Sequence, residues 1–259
     1  MIQAVFFDVD GTLYDSNSEY VNYKSLEAIK QLHEQGYILG LCTGRTRDQL
    51  LGVPKEILEL PFDVFLTCGG GEGFLHSGEA LFHMYFSSEE VARIMKLEEI
   101  RYENELDLIC IDSEGTAILW ECGEQGMINF TWFKIPVAEI RDIDPYTLSH
   151  VLISCDASRH ESVKPYLNEL NYFVSSASSI DILPAGVNKA TAIAKAVAHF
   201  GFTMENVMVF GDSYNDIEML REAKIGVCMG NGSDDAKEAA DYVCESMWED
   251  GIAKFLAKM

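Results

Sequence analysis

Short, unbroken apolar runs separated by amphipathic stretches set the rhythm of the first eighty residues. "AVFF" (4–7) is continuous rather than alternating, which predicts a strand buried on both faces. "SLEAIKQLHEQG" (25–36) places Leu26, Ile29 and Leu32 on one side of a helix, with Gly36 where a left-handed cap is expected. "YILGLCTG" (37–44) and "DVFLTC" (63–68) predict two further buried strands. Buried strands alternating with helices imply an α/β unit: a Rossmann-like parallel sheet covered on both faces.

The pattern changes after "GGGEG" (69–73). "FLHSGEALFHMYF" (74–86) predicts a hairpin turning at "SG", and "SSEEVARIMKLEEI" (87–100) a helix opened by a capping box of Ser87 and Glu90. "LDLICIDSEGTAILWEC" (106–122) predicts two strands around "SEGT", and the alternating "INFTWFKI" (128–135) another strand. "HVLISC" (150–155), the helix-like "ESVKPYLNEL" (161–170) and "NYFVSSASSIDIL" (171–183) complete an α+β segment. The α/β rhythm then returns: helix 189–201, strand 206–212, helix 215–223, then "KIGVCMG", "SDDAKEAA", "DYVC" and a last helix. The expected division is an α/β core of 1–82 and 184–259, with an inserted α+β domain of 83–183.

Composition narrows the roles open to such a fold. A 259-residue chain with 48% hydrophobic and 24% charged residues is an ordinary globular protein. Its net charge of -23, from 42 acidic and 19 basic residues, repels phosphate backbones and anionic lipids. Neither nucleic acid nor a membrane surface is an expected partner. No apolar run approaches the roughly 18 to 20 residues that span a bilayer. Asp8 and Asp10 interrupt the only apolar run near the N-terminus, so no signal peptide is expected and a cytoplasmic location is. Seven cysteines, never spaced as CxxC, mostly end or interrupt apolar runs, the pattern of small buried hydrophobes.

Chemistry in an open parallel sheet gathers at the carboxyl ends of its strands. Four segments deliver polar residues there: "FFDVDGT" with Asp8, Asp10 and Thr12; "LCTGR" with Thr43, Gly44 and Arg45; "LPAGVNK" with Lys189; and "VFGDSYND" with Asp212, Asn215 and Asp216. Each has a bland reading taken singly. "DG" marks turns, Thr43 could cap a helix, and Arg45 and Lys189 could be solvated. An EF-hand reading of Asp8 to Glu19 fails, because Val9 and Gly11 break the loop pattern and a strand precedes it.

Taken together and in this order, the four segments resemble the haloacid dehalogenase (HAD) superfamily of phosphohydrolases, and within it the Cof-like sugar-phosphate phosphatases, whose large α/β cap is inserted between the second and third motifs. The likeness extends over "DILPAGVNK", "GDSYNDIEML" and "GVCMGNGSDDAKEAADYV". It implies a Mg²⁺-dependent phosphatase of small phosphorylated metabolites, sugar phosphates foremost, working through an aspartyl-phosphate. Asp8 is implied as nucleophile and Asp10 as general acid and base. Thr43 and Lys189 are implied on the transferring phosphoryl group, and Gly11, Gly44, Arg45 and Asn215 around the substrate. Asp8, the Asp10 carbonyl and Asp212 are implied as metal ligands, with Asp216 nearby or acting through water. One departure stands out: relatives usually carry Asn-Gly after the third strand, where this chain reads "CGGGEG".

A phosphomutase uses the same nucleophile and acid/base pair, and a non-catalytic metabolite-binding protein could share the fold, although no motif residue is missing. Transport ATPases of the superfamily are excluded by the lack of membrane segments and by Asp10. In the inserted domain Phe130, Trp132, Phe133 and Trp120 could line a pocket, but aromatics at alternating strand positions more often pack a core.

Overall fold

The computed structural model describes residues 1–176 and 178–258; position 177, inside the stretch 171–183 read above, lies outside them. The chain divides into two compact units. The first comprises Met1–Gly44, Val53–Phe82 and Asn188–Met259, the second Arg45–Gly52 and His83–Val187.

The first unit is built on an eight-stranded sheet. From one edge its strands run Tyr242–Val243, Ile225–Cys228, Val207–Gly211, Ala4–Phe7, Ile38–Cys42, Val64–Thr67, Glu72–Leu75 and Ala80–His83. Pairing is parallel from the first edge through Val64–Thr67, and Glu72–Leu75 then runs antiparallel. Ala4–Phe7 is wholly buried, as its unbroken apolar run requires. It pairs with Ile38–Cys42 on one side and Val207–Gly211 on the other. Strand order reverses at Ala4–Phe7, and crevices for ligands form at such points. Asn22 caps the helix Tyr23–Glu34 by accepting from the Ser25 amide at 3.0 Å, and Gly36 follows with φ 88°.

The second unit has a six-stranded sheet in the order Glu139–Ile140, Gly115–Ile118, Asp107–Asp112, His150–Ser154, Ser179–Leu183 and Asn171–Ser176. One face packs an apolar core that includes Ile94, Leu97, Val151, Ile153, Ile180 and Ile182. The helix Ser88–Met95 begins at the expected capping box: the Glu90 amide donates to Ser87 Oγ, and the Ser87 amide to Glu90 Oε2 at 2.8 Å.

The strand expected over 128–135 is instead the end of a helix, Glu124–Phe133. Alternating β-branched and aromatic residues favour a strand by propensity, but tertiary contacts override it. The Asp107 carboxylate accepts from the Gly123 and Gly126 amides at 2.9 Å each, satisfying orphan donors of the first turn. Lys134 ends the helix at φ 57° with its amide on the Thr131 carbonyl. Phe130 is buried in a small cluster with Ile109, Ile118 and Leu152. Trp132 is 38% exposed, so the core reading holds for Phe130 and not for Trp132.

Residues 45–52 follow a first-unit strand in sequence yet group with the second unit, as do 184–187, so the observed division differs from the expected 83–183 at both places. Asp48 Oδ2 accepts from Thr116 Oγ1 at 2.7 Å. The Arg45 guanidinium lies 5.4 Å from the Trp132 ring and 5.1 Å from that of Phe133. A Cβ on Gly52 would fall 1.8 Å from the Phe133 carbonyl oxygen, so no other residue fits there without backbone movement. Among the described residues, no helix is long and apolar enough to cross a membrane.

Candidate active site

Three strand ends and one helix start meet in the first unit. Asp8 is the residue after Ala4–Phe7, and its amide donates to the Phe210 carbonyl at 3.0 Å. The chain then turns back on itself, with the amides of Leu13 and Tyr14 on the Val9 carbonyl and that of Gly11 on the Tyr14 carbonyl. Gly11 adopts φ 83°, and a Cβ there would lie 2.2 Å from Asp212 Oδ2. Only glycine leaves room for that carboxylate. Half-buried Asp10 accepts from Ser16 Oγ at 2.6 Å.

Asp212 directly follows Val207–Gly211, and one turn later Asp216 is fully buried. Asp216 Oδ2 accepts from the amides of Asp212 and Ser213, at 2.9 Å each, which fixes the strand-to-helix turn. Thr12 Oγ1 donates to Asp212 Oδ1 at 3.2 Å. Lys189 opens the helix Lys189–His199, where Asn188 supplies the cap. An ammonium at a helix N-terminus opposes the helix dipole. Here Lys189 Nζ donates to Asp8 Oδ1 and to Asp216 Oδ1, both at 2.6 Å, and these two charge-assisted bonds outweigh that penalty.

Ligand oxygens of Asp8, Asp212 and Asp216 all lie within 4.8 Å of one another. Burial first, and then the neighbouring acids, push the Asp8 carboxyl up to about 7 despite Lys189. Burial and the repulsion of Asp8 and Asp216 likewise hold Asp212 well above the usual carboxylate range. Burial opposes the charge on Lys189, but Asp216 and Asp8 together hold its pKa above the ordinary lysine value. Three acids against one ammonium leave an excess of negative charge, offered entirely by oxygen donors. That is the donor set of a hard divalent cation.

Thr43 is buried beyond Ile38–Cys42, its amide on the Leu66 carbonyl at 2.9 Å and its carbonyl accepting from Gly69. Gly44 is beside Asn215, whose Nδ2 would be 3.4 Å from a Cβ at position 44. Arg45 belongs to the second unit, where it is buried and donates through Nη1 to the Gln49 carbonyl at 3.0 Å. The first unit thus brings together Asp8, Asp212, Asp216 and Lys189, and places Gly11 against Asp212 and Gly44 beside Asn215; it does not contain Arg45. Burial pushes the neighbouring Cys42 thiol far up, which disqualifies it as a nucleophile.

Two supports escape a reading of motifs. Asn231 Nδ2 donates to the Gly11 carbonyl at 2.7 Å, and Asn231 Oδ1 accepts from the Met247 amide at 2.9 Å, pinning the loop that carries Asp10. The only hint in sequence is an asparagine between two glycines. The "CGGGEG" turn has a packing reason as well. Gly70 has φ 106°, and a Cβ there would be 2.5 Å from the carbonyl of Asn188, the residue that caps the lysine's helix.

A family model for haloacid dehalogenase-like hydrolases matches residues 5–256. The phosphatase YcsE of Bacillus subtilis, named for 5-amino-6-(5-phospho-D-ribitylamino)uracil, is 31% identical over 98% of this chain and 94% of its own. An HMP-PP phosphatase of Klebsiella pneumoniae is 27% identical over 89% of this chain and 85% of its own. Among known structures, a haloacid dehalogenase-like hydrolase from Bacteroides thetaiotaomicron superposes with a TM-score of 0.83 at 26% identity, covering 100% of this chain and 99% of the other. A sugar phosphatase of HAD subclass IIB gives 0.85 at 25% identity, over 99% and 98%. The chain belongs to the haloacid dehalogenase-like hydrolases.

Proposed function

We propose that this enzyme is a Mg²⁺-dependent phosphatase of small phosphorylated metabolites, sugar phosphates foremost. The observation that carries the reading is the cluster of buried Asp8 and Asp216, paired to buried Lys189, with half-buried Asp212, at the strand-order reversal of a parallel sheet. Asp8, the Asp10 carbonyl and Asp212 would hold the metal, with Asp216 close by or acting through water. When bound, the ion would supply positive charge that offsets the charge of the phosphate oxygens.

An Asp8 carboxylate oxygen attacks phosphorus and the bond to the leaving oxygen breaks, giving an aspartyl-phosphate. Protonated Asp10 gives its proton to the leaving alkoxide. As a carboxylate it then takes a proton from water, whose oxygen attacks the same phosphorus and releases phosphate and free Asp8. Lys189 balances charge on Asp8 and the transferring group, and the Thr43 hydroxyl and the adjoining amide donate to phosphoryl oxygens. Gly11, Gly44 and Asn215 border the phosphate. Arg45 we assign to holding residues 45–52 against Trp132 and Phe133, since its guanidinium is engaged there. The second unit is assigned the role of cap, selecting the leaving group.

The test is a panel of phosphorylated metabolites with phosphate detection, in Mg²⁺ and in chelator. Release that depends on Mg²⁺ supports the reading. Full turnover in chelator refutes the metal, and isomerised sugar phosphate without free phosphate refutes hydrolysis.

A further inference from the structure

The chain that leaves the Asp10 loop has little support of its own. After Gly11 it forms a hairpin of Tyr14–Asp15 and Tyr20–Val21, in which Tyr14 pairs with Val21 and Asp15 with Tyr20. A two-stranded ribbon of that length is marginal in water. Yet the hairpin carries Ser16, whose hydroxyl donates to Asp10 Oδ1 at 2.6 Å, so the hairpin's position bears on where that carboxyl points. The amides of Thr12, Leu13 and Tyr14 on the Val9 carbonyl shape the loop from within, and Thr12 Oγ1 ties it to Asp212. None of these bonds holds the hairpin itself.

Both ends of the segment 11–22 are fastened to one residue far along the chain. Met247 is buried at the start of the short turn Met247–Glu249. Its amide donates to Asn231 Oδ1 at 2.9 Å, and Asn231 Nδ2 reaches on to the Gly11 carbonyl at 2.7 Å. Its carbonyl accepts from Asn22 Nδ2 at 2.8 Å, and the same Asn22 group donates to Asp250 Oδ1 at 3.0 Å. Gly11 opens the hairpin segment and Asn22 closes it, so the main chain of Met247 anchors the two ends together. Asn22 has a second task, because its Oδ1 caps the helix Tyr23–Glu34. The side chain of Asn231, in a turn between Gly230 and Gly232, is given wholly to the bridge, one end donating and the other accepting.

We propose that Asn231 is a positioning residue for the proton transfers at Asp10: tying Gly11 to Met247 fixes the hairpin, and through Ser16 the hairpin fixes the Asp10 carboxyl. This rests on the phosphatase reading above, with Asp10 as its acid. Asn231→Ala removes both bonds of the bridge. Asn231→Asp keeps the bond to Met247 and turns a carboxylate oxygen toward the Gly11 carbonyl; it breaks the bridge at one end and decides the matter if the alanine variant does not fold. Phenyl phosphate and p-nitrophenyl phosphate are close in shape, but the phenolate needs a proton more than the nitrophenolate does. With Mg²⁺ saturating, either variant is expected to lose roughly fivefold more kcat/KM on phenyl phosphate than on p-nitrophenyl phosphate, a part of the about 10²- to 10⁴-fold that a placed acid contributes. Equal losses on the two esters, or none, overturn the role at Asp10, because a scaffold that merely loosens penalises both alike. Hydrogen exchange read by mass spectrometry in chelator follows the bridge without turnover. Residues 11–22 should exchange about tenfold faster in either variant, the scale of one lost hydrogen bond, with 189–199 unchanged. Unchanged exchange at 11–22 overturns the bridge as an anchor. If the parent releases phosphate from neither ester, the phosphatase reading falls and takes the role at Asp10 with it, while faster exchange in the variants would still uphold the anchor.

Discussion

Replacing Gly11 by alanine separates two costs that usually arrive together. At φ 83° an alanine pays about 1–2 kcal/mol for a left-handed backbone. The new methyl would also sit 2.2 Å from Asp212 Oδ2 and 2.6 Å from its Cγ, so the carboxylate must move by roughly 1 Å or the loop must shift and strain the Asn231 bond to the Gly11 carbonyl. A displacement of that size in a proposed metal ligand is expected to cost about 10²-fold in kcat and to weaken the affinity for Mg²⁺. Gly36 provides the control: it has φ 88° with nothing within 4 Å of a Cβ. Gly36→Ala should lose similar stability and keep its activity. The assay is p-nitrophenyl phosphate turnover against Mg²⁺ concentration, beside urea denaturation of both variants. If Gly11→Ala turned over within about threefold of the parent, the placement of Asp212 would not be what Gly11 protects, and the reasoning would fail.

Asp8→Asn keeps the volume and removes the proposed nucleophile, so turnover of any phosphate ester should fall at least ~10³-fold while the fold is retained by circular dichroism. Lys189→Met leaves Asp8 and Asp216 buried without their cation, and in chelator should cost about 3–5 kcal/mol of unfolding free energy, partly recovered with Mg²⁺; an unchanged urea midpoint would count against the pairing. For pH, the Asp8 carboxyl is raised in the folded protein, from an ordinary value near 4 to about 7. The metal-free protein therefore holds a proton that the unfolded chain has lost, and its share of stability, complete below about pH 4, disappears as pH rises through 7. Metal binding needs the carboxylate, so the gain in melting temperature from Mg²⁺ should grow from pH 5.5 to pH 8, and a flat profile would contradict the assignment. Asp107→Ala removes acceptors from the first turn of Glu124–Phe133 and should cost about 1 kcal/mol, read by urea denaturation.

The parts of the molecule legible in sequence were those whose signal is local. Unbroken runs such as 4–7 and 207–211 announce parallel strands because both faces are buried. Asp8, Lys189, Asp212 and Asp216 stand at element ends, where polar residues after apolar ones are conspicuous. What escaped depends on partners far along the chain. The helix at 124–133 is held by Asp107, and its own alternating residues argue for a strand. Asn231 matters because the Gly11 carbonyl is beside it, 220 positions away. The resemblance implies Gly11 around the substrate, while the requirement visible in the fold is room for Asp212.

Residues 45–52 bear on how such an enzyme could be recombined. An exchange of the second domain for a homologous one, cut near 83 and 187, would leave the segment 45–52 against foreign partners. Arg45 would meet foreign residues in place of Trp132 and Phe133, Asp48 would lose the Thr116 hydroxyl, and Gly52 would face a different backbone where Phe133 now passes. A working hybrid therefore needs two transplanted pieces, the long one and an eight-residue patch lying directly after Gly44. Selection acting on leaving-group preference would leave its marks in both pieces at once, so covariation across homologues should tie 45–52 to 115–133 more tightly than to the strand that precedes it.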